Sequence, residues 1–501
     1  MDAPLQKLRD LFNFGRSGDD HSEHQYLLDL LDGLAGKPPH LVISALHTQY
    51  LPAVACQRNL HMRFKLLENS RAEAIRCLPV LESKVSEAVL PLPAEASDSA
   101  LIADNFLKSL ASAYIGIVSG ITTHHQEAAL AHLMQHAIRR AMRALLRRQV
   151  LAYRAYAPPS ASSWQQMHDL YRNARNRNLH GGHDDKSIER VYLTALLLAY
   201  ADPNKIPRNE LDELKMLVEN LAPLAAIGDA AQFERGQSTL SARFLVDVEE
   251  GAPGRPLAKV PETASLFGNY IVECRGVVSA IDRRLMRYAN QEHDEHEPQH
   301  EKLLTSLRTS LGGQIQRRFS RIRFKPKADL VAGFDNAVQF IANGTLIRRE
   351  SDFSSKPPLA TSEWALINES PDGFGIRFQK GEKWPMQAGD LVVLRTREGS
   401  RIHVCLVRRI ANLDQHKLEL GLQELSPEAG VLKLEDGQTA ICLPRLPAFQ
   451  GSPGLILPAQ YAVSSDLSVA IALNGSAHRW KPGKHAESNG RIQFHVLEPI
   501  T

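Results

Sequence analysis

The sequence predicts a multidomain α+β protein: a helical domain over residues 1–235, an antiparallel β-barrel over 315–430 and a β-rich extension over 431–501. Three observations lead there. Residues 1–235 carry apolar side chains at helical spacing. After residue 315, short apolar runs alternate with turns, as in a barrel or sandwich. Between these regions, residues 236–314 mix a strand pattern, a helical pattern and a polar stretch.

In the first region, Leu133, Met134, Ala137, Ala141, Leu145 and Leu146 continue a stripe that begins at Leu130. That is one face of an amphipathic helix. Further helices are expected over Trp164–Arg177, Ile188–Ala201 and Asn209–Ala222, punctuated by Pro158-Pro159, Gly181-Gly182 and Asp202-Pro203. In the middle region, ARFLVDVEEGAPGRPLAKV reads as a strand, a turn and a second extended piece. Helix is expected again from Ala264 to Tyr288, followed by the exposed acidic, His-rich stretch QEHDEHEPQHEK. The last two regions contain LVVLRT, IHVCLVRRI, KLELGLQEL, TAICLPRL, LILPAQYAV and LSVAIALNG as strands.

Bulk composition narrows the function. With 501 residues, 43% hydrophobic and 23% charged, the chain can bury several globular cores. A net charge of +3 and 6% aromatic residues argue against a general nucleic-acid binder, which stacks bases on aromatic rings. Five scattered cysteines without CxxC spacing argue against a disulfide framework and a structural zinc site. The opening MDAPLQKLRDLFNFG is unlike a signal peptide. The longest apolar run, Val191 to Ala201, is too short for a membrane span, so a cytoplasmic protein is expected.

Two motifs carry the functional reading. Arg317 and Arg321 form RxxxR, and Asn368, Ser370 and Gly373 form NxSxxG. Strand-like WALIN leads into the second motif and GIRF leads out of it. Together they resemble the PilZ family, whose signature is RxxxR followed by [DN]xSxxG. The resemblance covers about residues 315–430 and implies a receptor for cyclic di-GMP that passes its state to the helical region or an unidentified protein partner. It implies no enzyme, no cofactor beyond the ligand and no metal. The chemistry is coherent. Arginine presents a planar fork to phosphate or to the guanine O6/N7 edge. Asn and Ser can meet a base edge. Glycine allows a sharp turn and a close approach. The two motifs lie 47 residues apart, more than is usual in the family, and the excess falls in AVQFIANGTLIRRESDFSSKPPLATSE. Arg318, Arg348 and Arg349 are therefore secondary candidates. Two alternatives stand beside this reading: a degenerate PilZ-like scaffold acting by protein contacts alone, and a nucleic-acid-binding barrel.

Other motifs have plainer readings. His296-Glu297-Pro298-Gln299-His300 matches HExxH, but Pro298 would disrupt an established helix that placed both histidines on one face. His132 and His136 share a helix face with Arg139, Arg143 and Arg147, expected to be a solvated basic face. There is no GxxxxGK[ST] loop, no GxGxxG after a strand and no GxSxG elbow.

Overall fold

The structure, a computed structural model, describes residues 18–181, 187–233, 240–290, 298–312, 326–343, 361–397, 401–413, 417–464, 467–473 and 476–500. The chain divides into two compact units. One comprises Met1–Lys84, Glu95–Arg148 and Leu170–Ile188, and the other Val85–Ala94, Gln149–Asp169 and Glu189–Thr501.

The first unit is helical. Its elements include α1 (Gly18–Asp32), α2 (Pro39–Ala45), α3 (Leu51–Cys56), α4 (Leu60–Glu87), α5 (Ala94–Thr123) and most of α6 (Ala131–Arg154). The expected stripe on α6 is its buried face: Met134, Ala137, Ala141 and Leu145 are fully covered. The basic face of α6 is not simply solvated. Arg147 donates to both oxygens of Glu82 on α4 at 2.7 and 3.2 Å, and Arg148 donates to both oxygens of Asp104 on α5 at 2.5 and 3.0 Å. Glu68 accepts from Arg140 at 2.7 Å and from the Tyr114 hydroxyl at 2.6 Å. Bidentate pairs of this kind fix helix register as well as adding attraction. Burial and the neighbouring Arg139 and His132 hold His136 below its usual range, which favours the neutral ring.

Helix α5 is long and apolar enough, by length and composition, to cross a membrane, although no uninterrupted apolar run reaches that length. In the protein, Phe106, Leu110, Tyr114, Ile117 and Ile121 form a buried core face along it at three- and four-residue spacing.

The second unit contains α8 (Ile188–Tyr200) and α9 (Leu211–Leu221), which follow α7 (Ala161–Asn176), and then three sheets. The first sheet has strand order β1-β4-β2-β3, from β1 (Ala226–Asp229), β2 (Arg243–Val246), β3 (Arg255–Pro256) and β4 (Tyr270–Glu273). The helix expected from Ala264 therefore begins later, as α10 (Arg275–Asn290). Gly268, at φ +76°, turns the chain, and the β-forming run Tyr270-Ile271-Val272 pairs with both β1 and β2. Helix α11 (Pro298–Gly312) follows, with proline in its first turn, where the missing N–H leaves no helical bond unmade.

The middle of the second unit is a closed antiparallel barrel, β10-β7-β6-β5-β8-β9. Its strands are β5 (Lys327–Ala332), β6 (Ser362–Ser370), β7 (Gly373–Gly381), β8 (Leu391–Thr396), β9 (Ile402–Asn412) and β10 (Leu418–Ser426). Helix α12 (Phe334–Asn343) lies between β5 and β6 in sequence. Strand β5 and α12 thus occupy part of the long interval between the two motifs. Alternation along the strands gives the barrel two surfaces. Leu330, Trp364, Ile376, Val392, Val407 and Leu420 fill the interior. Val331, Val393, Val404 and Leu406 point outward and are covered by α12 and by a six-stranded sheet. That sheet, in order β11-β12-β13-β16-β15-β14, is built from Gly430–Lys433, Thr439–Leu443, Gly454–Pro458, Ile492–Pro499, Ser476–Ser488 and Val469–Leu473 respectively.

Within the same unit, Arg208 braces the barrel from the helical side. Its Nη1 donates to the carbonyls of Val85, Ser86 and Ala88 at 3.3, 3.2 and 2.7 Å, and its guanidinium lies 5.0 Å from the centre of the Tyr156 ring. The Tyr156 hydroxyl donates to the Ile206 carbonyl at 3.0 Å and accepts from the Ala388 amide at 3.2 Å, just before β8. Asn412, at the end of β9, donates its backbone N–H to the Tyr156 carbonyl at 2.9 Å.

Candidate functional site

Asn368, Ser370 and Gly373 lie on one hairpin. Strands β6 and β7 are joined by Pro371-Asp372, and Ser370 pairs with Gly373 across the turn. The Ser370 hydroxyl donates to the Gly373 carbonyl at 3.3 Å. Gly373 is held there for two reasons. Its φ is +142°, a conformation that side chains rarely adopt, and a Cβ on it would lie 2.0 Å from the Leu422 carbonyl oxygen. Strand β10 is drawn against the turn, with the Glu424 N–H donating to the Asp372 carbonyl at 3.0 Å.

Two residues further from the turn, Asn368 pairs with Gly375, and Gly375 pairs with Gly421 on β10. Their neighbours Leu366, Phe374, Ile376, Leu420 and Leu422 point into the barrel, so Gly375 and Gly421 face outward. The Asn368 side chain lies over Gly375: a Cβ on that glycine would be 2.7 Å from Asn368 Oδ1. The Asn368 side chain makes no hydrogen bond among the described residues, so its amide can donate and accept toward a ligand.

The charges on either side of this strip are committed. Arg377 donates to Glu419 Oε1 at 3.0 and 2.7 Å. Arg408, on the other side, donates to both oxygens of Glu487 at 2.6 Å and to Gln423 at 2.7 Å. Burial works against the charged form of Glu487, but the Arg408 fork outweighs it and holds the carboxyl below its usual range. His403 meets Glu424 at 2.7 Å, with its ring 5.0 Å from Phe374.

The structure therefore brings Asn368, Ser370 and Gly373 together on the outer face of the barrel. Arg317, Arg318, Arg321, Arg348 and Arg349 lie outside the described residues. Gly375 and Gly421 escaped the sequence reading. Their signal was a glycine inside each strand pattern, which marks a bulge or a close backbone approach. His296 and Glu297 lie outside the described residues, and His300 donates from Nδ1 to Glu213 at 2.6 Å. Among the described residues, no three His, Cys, Asp or Glu side chains are placed to hold a metal ion.

Comparison with known proteins bears on both halves of the chain. Residues 347–430 match the family model described as the middle PilZ domain of the cyclic-di-GMP receptor FimW, and residues 27–232 match the model for that receptor's N-terminal domain. The first span takes in the hairpin, Arg348 and Arg349, and begins after Arg317 and Arg321. A curated relative, the cyclic-di-GMP receptor FimW of Pseudomonas aeruginosa, is 22% identical over 458 residues, covering 74% of each chain. No solved structure matches. The barrel of this chain is a PilZ domain, as its motif implied, and it accompanies a FimW-type N-terminal domain.

Proposed function

We propose, from a PilZ domain joined to a FimW-type helical domain, that this protein is a cyclic di-GMP receptor and not an enzyme. The observation that carries the reading is the Asn368-Ser370-Gly373 hairpin, set on an outer barrel face where Asn368 has no partner among the described residues. Asn368 would hydrogen-bond a guanine edge. Ser370 and Gly373 would shape the turn and let the ligand approach the backbone. Arginine is needed for the two phosphates, and two pairs are available, Arg317 with Arg321 and Arg348 with Arg349. The ligated state would pass to the helical region or to a protein partner of cytoplasmic signalling.

Equilibrium dialysis of the full chain with cyclic di-GMP tests the reading. Saturable binding is expected. Replacing the arginine pair that contacts phosphate by alanine should weaken binding at least roughly tenfold, since charge-assisted hydrogen bonds contribute about 1.5–3 kcal/mol each. Saturable binding untouched in both double variants would remove arginine from the site, and no binding by wild type would overturn the proposal.

A further inference from the structure

The row that begins at Asn368 does not stop at Gly421. Gly421 pairs on its other side with Arg409 of β9, so Asn368, Gly375, Gly421 and Arg409 stand directly opposite one another across four adjacent strands. At the usual strand spacing the row is roughly 14 Å long. A Cβ built on Gly421 would lie 3.4 Å from Arg409 Cβ, which places both on the same outer face. Arg409 is exposed. Arg377 and Arg408, the other outward guanidiniums here, are engaged by Glu419 and Glu487, whereas Arg409 has no hydrogen bond or ion pair among the described residues.

We infer that Arg409 is a specificity residue of this site, presenting its fork to the O6/N7 edge of a guanine that lies flat over Gly421, between Asn368 and Arg409. The inference rests on the cyclic di-GMP reading above and adds to it which residue tells guanine from adenine. Gly421 leaves the strand surface between Asn368 and Arg409 bare of side chains, so a planar base can meet peptide backbone there. Arginine at the end of that surface donates twice toward the two acceptors of guanine. Adenine offers an amino donor in place of O6, which faces a guanidinium unfavourably. The bulge in the β9–β10 pairing, between Gly421 and Leu422, sets Arg409 apart from Arg408. One arginine turns to Glu487 while the next is left on the row.

The test is titration of the full chain with cyclic di-GMP and with cyclic di-AMP, for wild type, Arg409→Ala and Gly421→Val. Arg409→Ala should weaken cyclic di-GMP binding roughly tenfold or more while leaving cyclic di-AMP affinity almost unchanged, so that the preference collapses. Gly421→Val, which puts a branched side chain on the bare surface, should weaken cyclic di-GMP binding while the barrel's urea midpoint stays put. Equal losses for the two nucleotides in Arg409→Ala would make the contact one with phosphate and overturn the inference, as would wild-type affinity in both variants. Those results leave the receptor reading standing. Failure of the wild type to bind cyclic di-GMP removes both.

Discussion

Asn368 stands directly opposite Gly375 on the neighbouring strand, and its side chain occupies the space that a Cβ on Gly375 would need. The glycine thus sets where the asparagine points. Gly375→Ala should push Asn368 off the strip and weaken cyclic di-GMP binding about tenfold, with little change in stability because the displaced group is a side chain. Asn368→Ala should weaken it to a similar degree. The double variant should be no weaker than either single one, because the two act through one contact. Additive losses in a double-mutant cycle would show that the pair is uncoupled.

Gly373 has a different sensitivity. A Cβ there meets backbone, the Leu422 carbonyl at 2.0 Å, and the φ of +142° is strained for any side chain. Gly373→Ala should lower unfolding free energy by about 2–4 kcal/mol, visible as a fall in the urea midpoint. An unchanged midpoint would mean that the turn adapts freely.

How much of this was legible beforehand depended on whether the information was local. The α6 stripe was legible because one helix face carries it. The strands β8, β9 and β10 were legible because turns bound their apolar runs. The segment from Ala264 misled because its apolar spacing also fits a helix, and only pairing with β1 and β2 decides for a strand at Tyr270–Glu273. The arginines of α6 misled because their partners, Glu82 and Asp104, lie more than forty residues away in sequence. Asn368, Ser370 and Gly373 could be read from six consecutive letters. Gly375 and Gly421 could not, because what joins them is strand register, and the sequence does not display register.

Arg208 is 6% exposed and donates to three backbone carbonyls. Burial lowers its pKa, but guanidinium stays charged at any physiological pH. Arg208→Met keeps the volume and removes the donors. The unfolding free energy should fall by roughly 2–4 kcal/mol in denaturant titrations, the cost of leaving buried acceptors unpaired. A loss below about 0.5 kcal/mol would show that water replaces the guanidinium there.

Asp390 gives the barrel a pH dependence. Burial raises its pKa to about 6, against the opposing pull of Arg491 at 2.7 Å and of the Gln387 N–H at 2.8 Å. A carboxyl whose folded pKa lies above the unfolded value binds a proton more readily when folded. Its contribution is therefore full below about pH 4 and is lost as pH rises through about 6. The amount is on the order of 3 kcal/mol. Asp390→Asn should flatten the stability profile between pH 4 and 6. An identical profile in the variant would assign the dependence to another group.

Isothermal titration calorimetry of cyclic di-GMP into the full-length wild type and Asn368→Ala bears most directly on what this protein does. Saturable binding by wild type is expected, weakened about tenfold in the variant, with both proteins giving the same circular dichroism spectrum. Folded wild type that takes up no cyclic di-GMP, by heat and by a second method, would contradict the receptor reading.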